Sequence, residues 1–495
     1  LSVRNLAARV AFAVAAALVF GALSGETRAD RRAAENQYRV ARRLAAQRSP
    51  EAAAALRRVV ELDPKGPLAD DALLDLADLE GVPLVPEQLG RVSLAAARRA
   101  LAVLEELLRD HDSADRATEA RIRRALLMLE PLPIQNTTDA RVDLLGVATA
   151  GSGDDLSPLA RYCVAWLDER QGNIDRARAA YQRLVIDSAG DPIAVFSRVG
   201  LGRTAARLGE FAAASRWLQE AVALEPPVET GAIDLRELAV RGLLRSAGGA
   251  GWKTGSARTM ETGIRGPEEL VRLSGGGRLV VDRKKPGVVR LGANGRPVAQ
   301  WELDGVDALA VDPFGRVFVA ADENILRLVD DQAVPTLSIA GTAPVDAMAV
   351  DSEGSFWLVE RKGDRLVRIN ALGEVETVWT GGPEKLVDIV WDGQRIVALD
   401  GRGDQLMVIE RDGEARVLHQ IGFGKPTRIS SDGIGQVAVL DARSAKVVLV
   451  GPAGSVREQL STDAVGAARP VSIGLGPGGS LDIIDGSNGL LVNLP

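Results

Sequence analysis

The sequence predicts an α + β multidomain protein, an α-solenoid of helical hairpins followed by a six-bladed β-propeller. Three observations carry that prediction. One pattern is written six times in the C-terminal half, starting at 267 (PEELVRLSGGGRLVVD), 306 (VDALAVDPFGRVFVA), 345 (VDAMAVDSEGSFWLV), 386 (LVDIVWDGQRIVALD), 426 (PTRISSDGIGQVAVLD) and 470 (PVSIGLGPGGSLDIID). The starts are 39, 39, 41, 40 and 44 residues apart, and a period near forty with several short strands per copy is that of a propeller blade. Before that half, apolar residues recur at helical spacing in segments broken by Gly, Pro and Asp, as consecutive antiparallel helices require. A glycine-rich stretch, GGAGWKTGS at 248–256, separates the two periods.

Residues 1–29 read as a secretory signal. Arg4 and Arg9 precede an apolar run from Ala11 to Leu23, and Thr27 and Ala29 sit at −3 and −1 of a cleavage site. The run is short for a membrane-spanning helix, so an N-terminal anchor is the minor alternative. With an Arg-rich composition and no organelle signal, the expected location is the periplasm or exterior of a bacterium. The formal charge of −7 argues against general nucleic-acid binding. Cys163 is the single cysteine, so no intrachain disulfide forms, and it reads as a buried thiol.

The helical domain is assigned to 30–247, with 248–255 as linker. EAAAALRRVVELDP (51–64) places Leu56, Val59 and Val60 on one face and stops at Pro64. Further amphipathic segments follow at 68–81, 93–110, 114–131 and 138–151. At 158–228 the turn glycines Gly172 and Gly209 stand 37 residues apart, and Leu201, Gly202, Ala214, Ala221 and Pro226 recur at repeat positions, with Ala177 and Tyr181 in the preceding copy. On these residues the segment resembles the tetratricopeptide-repeat (TPR) family. Arg198 and Ala205 stand where that family carries early aromatic residues, and a degenerate copy is expected near 33–66. A helix over 233–247 is expected to close the stack. The resemblance implies a concave groove for a protein or peptide, lined by Tyr162, Trp166, Arg170, Phe196, Arg203 and Arg207. The competing reading puts Tyr162, Trp166 and Phe196 in the core.

The propeller is assigned to 256–495. Each full copy ends in a fourth strand, but the sixth stops at GLLVNLP (489–495) with no room for one. SARTMETGI (256–264) has the matching pattern and is expected to supply it, closing the ring and removing open sheet edges. An acid follows the second strand in every copy: Asp282, Glu360, Asp400, Asp441 and Asp485, with Asp322 one place late. Short acids there are read as turn caps. The hydrophobic-Asp-x-x-Gly turn and the second acid resemble NHL-type repeats. The WD-repeat signatures are missing.

Inner-strand starts and the turns between strands two and three share one face. The first set gives Glu269, Asp307, Asp346, Asp388, Arg428 and Ser472, an expected acidic mouth. The second gives Lys284, Lys285, Arg361, Lys362, Arg365, Arg402, Arg443 and Lys446, an expected basic rim. Such a face suits a cation or the amino end of a peptide. The two histidines, His111 and His419, lie in different domains, so neither a His-based zinc site nor a Ser-His-acid triad is expected. The expected function is a non-enzymatic envelope scaffold that binds protein or peptide partners, without a cofactor and without nucleic acid. The alternative is a calcium-dependent propeller hydrolase of lactonase type, with Glu269, Asp346 and Asp388 on the axis.

Overall fold

The computed structural model describes residues 30–494, except 112–115, 150–155, 190, 225–251, 253, 274–275, 331, 340–343, 362–363, 381–384, 403, 411–412, 423 and 477–478. The expected signal, the closing helix at 233–247, most of the linker, and Lys362 lie outside the described residues. The chain forms two compact units. One comprises residues up to 130 and 134–160, the other 131–133 and 161–495.

The first unit is helical. Its elements are α1 (30–46), α2 (Ala52–Leu62), α3 (Ala69–Leu79), α4 (Leu94–Asp110), α5 (Ala117–Met128) and α6 (Thr137–Thr149). From α2 onward each packs on the next, so every apolar stripe is covered by its sequence neighbour. Leu56, Leu73, Leu104, Leu107, Leu126 and Leu144 form the shared interior. Ser93 caps α4 by accepting from the Ala96 N–H at 3.2 Å. Glu130 is fully buried and accepts from the Gly90 N–H at 2.7 Å.

The second unit begins with helices α7 (Ser157–Arg170), α8 (Ile174–Asp187), α9 (Pro192–Arg207) and α10 (Phe211–Ala223). Pro192 opens α9 behind an Asp191 cap that accepts from the Ile193 N–H at 2.8 Å. A Cβ on Gly200 would lie 2.5 Å from the Tyr181 ring, and one on Gly202 would lie 2.6 Å from Leu218. Both glycines therefore let neighbouring helices approach more closely than a side chain allows.

Twenty-four strands follow. The first, β1 (Arg258–Glu261), stands apart from the blade that succeeds it. Blade 1 is β2 (Pro267–Arg272), β3 (Arg278–Asp282), β4 (Gly287–Leu291) and β5 (Pro297–Glu302). Blade 2 is β6 (Val306–Val311), β7 (Val317–Ala321), β8 (Asn324–Val329) and β9 (Gln332–Ser338). Blade 3 is β10 (Val345–Val350), β11 (Phe356–Glu360), β12 (Arg365–Ile369) and β13 (Val375–Thr380). Blade 4 is β14 (Leu386–Trp391), β15 (Ile396–Asp400), β16 (Gln405–Ile409) and β17 (Ala415–Gln420). Blade 5 is β18 (Arg428–Ser431), β19 (Val437–Asp441), β20 (Lys446–Val450) and β21 (Val456–Ser461). Blade 6 is β22 (Pro470–Leu475), β23 (Leu481–Asp485) and β24 (Leu490–Leu494), completed by β1 as outer strand. The second strand is buried on both faces in five of the six blades, and in those five it is mostly apolar and ends in an acid.

Ring closure is held at several points. Arg258 to Glu261 pair antiparallel with Asn493 to Leu490. The Thr262 hydroxyl donates to the Gly489 carbonyl at 2.6 Å, and the Trp252 indole to the Gly479 carbonyl at 2.7 Å. Between blades 6 and 1, the fully buried Asp482 receives Arg278 at 2.8 and 3.0 Å and Arg272 at 2.8 Å.

The turn acids act as caps. Asp312, Asp351, Asp392 and Asp432 each accept backbone N–H groups two to four residues ahead, at 2.8 to 3.0 Å. Ala321 holds the register position that Asp282 and Glu360 hold in blades 1 and 3. Asp322 therefore falls in the tight turn after it, at positive φ.

Candidate functional site

Antiparallel strands put inner-strand starts and the turns between strands two and three at one end of the propeller, here the mouth face. The turns between strands one and two, and between three and four, lie at the other end. Inner strands ring a central channel, each beside the next and β22 beside β2.

The inner strands of blades 1, 2, 3, 4 and 6 carry a bulge near their start, with two residues opposite one. A bulge shifts the pattern by one place, so side chains on either side of it face differently. In register, Glu269, Ala308, Ala347, Asp388 and Ser472 are equivalent, and Arg428 takes that position in blade 5. Asp307 and Asp346 are the bulged residues, equivalent to Glu268. The six residues expected at the mouth thus form two layers. Glu269, Asp388, Arg428 and Ser472 make an axial ring, while Asp307 and Asp346 sit outside it.

Three axial side chains clasp the next blade. Asp388 accepts from the Ile429 N–H at 2.8 Å and Ser472 from the Leu270 N–H at 3.0 Å. Glu269 accepts from the Leu309 backbone. Blades 1 and 4 are opposite in the ring, and Asp388 raises Glu269 while both acids raise Arg428. Burial, reinforced by Asp388 and Glu268, pushes the Glu269 carboxyl up to about 8 against the opposing pull of Arg428. Burial also raises Asp388, with Arg428 offsetting part of it. Burial disfavours the Arg428 charge, but Asp388 and Glu269 outweigh it and raise Arg428 above its ordinary value. In the outer layer, Arg361 reaches Asp307 at 3.1 Å and Asp346 at 3.6 Å. One arginine expected on the rim thus folds back over the mouth. Lys284, Lys285, Arg402, Arg443 and Lys446 are exposed on the rim, and Arg365 pairs with Glu360 at 3.1 Å.

The six expected groove residues do not line an open surface. Tyr162 is fully buried, its ring 5.7 Å from both Tyr181 and Phe196, and Trp166 and Phe196 are buried beside it. Aromatics at helical spacing here fill the stack. Arg203 and Arg207 both hold the buried Glu169, at 2.9 and 3.2 Å, and the Tyr181 hydroxyl donates to it at 2.9 Å. Burial would raise Glu169, but the two arginines overcome it and hold it down at about 2. Arg170 lies over Trp166 at 4.9 Å and over Phe314 of the blade 2 turn at 5.4 Å. Arg207 lines a cavity of ≈ 60 Å³ with Asp392, Gln394, Arg395, Gly435 and Pro452. Arg457 of β21 covers the Phe211 ring of α10. These contacts between α7–α10 and the propeller all fall at the end away from the mouth.

Sequence reasoning passed over Glu268, paired with Arg283, and the basic residues Arg265, Lys385, Lys425 and Arg469, each exposed just before an inner strand. Their recurrence at the blade period was the available signal. Among the described residues no group of three or more His, Cys, Asp or Glu is placed to hold a metal ion, and no helix is long and apolar enough to cross a membrane.

Fold and site define an α + β protein whose propeller carries a charged axial ring. No protein-family model matches the chain, and no curated protein sequence does. Among solved structures it is similar to virginiamycin B lyase from Staphylococcus aureus at 12% identity, over 48% of this chain and 98% of that one, with a TM-score of 0.39. It is similar to regucalcin, a calcium-binding protein from Agrobacterium tumefaciens, at 15% identity over 47% and 90%, with a TM-score of 0.38. A structure of YCF48 bound to D1 peptide matches at 10% identity over 48% and 96%, with a TM-score of 0.35. Enzymes and binding proteins thus stand together among the similar propellers, and the likeness assigns no activity.

Proposed function

We propose that this protein is a non-enzymatic binding protein of the bacterial envelope, which takes a protein or peptide partner on the mouth face of its propeller. The observation that carries the reading is the axial ring. Glu269 and Asp388 are held rigidly by the next blade's backbone and face one counter-charge, Arg428, at the end of the propeller away from α7–α10. Acceptors held in place at a channel mouth suit a ligand carrying a cationic or amino terminus, whose charge would draw the proton from the raised Glu269 carboxyl as it binds. The signal-like residues 1–29 support the compartment. The close crossings at Gly200 and Gly202 and the turn glycines Gly172 and Gly209, both at positive φ, support the TPR resemblance for α7–α10, and the strand–turn–strand acids support the NHL resemblance.

The competing reading is a calcium-dependent hydrolase. Arg428 weighs against it, since a guanidinium that acts on both axial acids would repel a calcium ion there. Affinity capture by the immobilised full chain, compared with Glu269→Gln/Asp388→Asn, tests the proposal. Loss of capture is expected in variant protein whose circular dichroism shows the propeller still folded, and undiminished capture would overturn it. Calcium-dependent stabilisation of the full chain that vanishes in the same variant would favour the hydrolase.

A further inference from the structure

The mouth face carries a second charge pattern, outside the axial ring. In blades 4, 5, 6 and 1 the acid that ends the second strand gathers backbone N–H groups from two turns, and those turns bear cations. In blade 4, Asp400 accepts from the N–H of Lys385 at 3.0 Å and of Arg402 at 2.9 Å. In blade 5, Asp441 accepts from Arg443 at 2.9 Å and Lys425 at 3.4 Å. In blade 6, Asp485 accepts from Arg469 at 2.7 Å. In blade 1, Asp282 accepts from Lys284 at 2.9 Å and Lys285 at 3.4 Å. The four carboxylates are buried, while all seven cationic side chains are exposed. The acids that would neutralise the surface are spent on backbone, and the cations project from turns those acids hold still.

Blades 4, 5, 6 and 1 are consecutive around the ring, so the cations form one arc. Lys284, Lys285, Lys385, Lys425, Arg443 and Arg469 have no ion-pair partner among the described residues. The exposed acids on the arc are Glu261, Glu302 and Asp463, fewer than its seven cations. Across blades 2 and 3 the sign reverses: Asp304, Asp322 and Glu323 are exposed there, beside Asp307 and Asp346. A chain of net charge −7 thus concentrates exposed positive charge on one arc of one face.

We infer that the arc recognises an acidic polypeptide segment of the partner. This rests on the binding reading above and names the chemistry of what is bound. A planar anionic bilayer would press on both sectors and be repelled by blades 2 and 3, whereas a chain can follow the arc and avoid them. The exposed large apolar residues lie on outer strands and on turns of the opposite end, such as Val298, Val334, Leu372, Val375, Val417 and Val456. Recognition at the arc is therefore electrostatic. The net charge of −7 disfavours general nucleic-acid binding.

The test uses the full chain and a short fluorescein-labelled polyglutamate peptide read by anisotropy. Polylysine peptide, phosphatidylglycerol vesicles and single-stranded DNA serve as comparison probes. Polyglutamate binding is expected to weaken steeply as salt rises from about 50 to about 200 mM, and to fall about fivefold or more in Lys284→Glu/Lys285→Glu and in Lys425→Glu/Arg443→Glu. These side chains are exposed and form no ion pair among the described residues, so melting temperature should move little. Absence of polyglutamate binding, equal binding by the reversed variants, or tighter binding to vesicles or DNA would each overturn the inference. If partner capture survives both reversals but is lost in Glu269→Gln/Asp388→Asn, the arc is wrong and the axial reading stands. If capture survives all the variants, both fail.

Discussion

Replacing Asp482 by alanine probes the joint between the first and last blades. The Asp482 carboxylate is fully buried and receives two bonds from Arg278, one from Arg272 and one from Asn493 at 2.7 Å. Alanine would leave the buried Arg278 guanidinium without a counter-charge and would strip Arg272 of its partner. Removing one member of a buried ion pair costs about 3–5 kcal/mol, and the several bonds overlap in that figure rather than add to it. The expected outcome is a loss of about 3–5 kcal/mol in urea unfolding followed by tryptophan fluorescence. Asp482→Asn keeps the shape and one acceptor and should lose less. A double substitution, Asp482→Leu with Arg278→Met, should recover most of the loss, because the cost lies in the orphaned charge. A loss below about 0.5 kcal/mol for Asp482→Ala would show that the strand pairing of β1 with β24 holds the joint alone.

Two further outcomes are expected. The Glu269 carboxyl is raised to about 8, so the folded chain holds a proton that the unfolded chain releases near its ordinary lower value. That contribution is fully present in acid and is lost as pH rises through the folded value, with a slope of at most about 1.4 kcal/mol per pH unit; Glu269→Gln should flatten this stretch of the stability–pH curve, and an unchanged curve refutes the assignment. Gly200→Ala should destabilise by about 1–3 kcal/mol in thermal unfolding, because the added methyl meets the Tyr181 ring, itself held by Tyr162 and by its hydroxyl's bond to Glu169; an unaltered melting temperature would mean that α8 and α9 separate freely.

The six blades were legible because a buried strand, a turn and an acid recur at a period near forty, with Asp-x-x-Gly in the turns of blades 2, 3 and 5, and repetition separates architecture from chance. The shortfall of a fourth strand in the sixth copy was visible as missing sequence, and β1 fills it. The mouth was only partly legible. Asp307 and Asp346 align with the axial acids by eye, but the bulge places them in the outer layer, and a one-residue bulge leaves no mark in composition. Tyr162 and Phe196 illustrate a different limit. An aromatic on a helix face reads equally well as core or groove until its neighbours are known. The placing of Arg170 over Phe314, and of Arg457 over Phe211, depends on two repeat architectures meeting, and neither period contains that information.

The strand that completes blade 6 is made long before its partner. Thr262 and Gly489, joined by one hydrogen bond, are 227 residues apart. During synthesis β1 emerges early and stays unpaired until blade 6 is finished. Every intermediate therefore carries open strand edges of the kind that invite wrong pairing. Closure is also a check on completeness: a chain that stops short of β24 leaves β1 without its pairing strand and Asp482 without Asn493. The ring thus makes β24 a condition for the stability of strands made far earlier in the propeller.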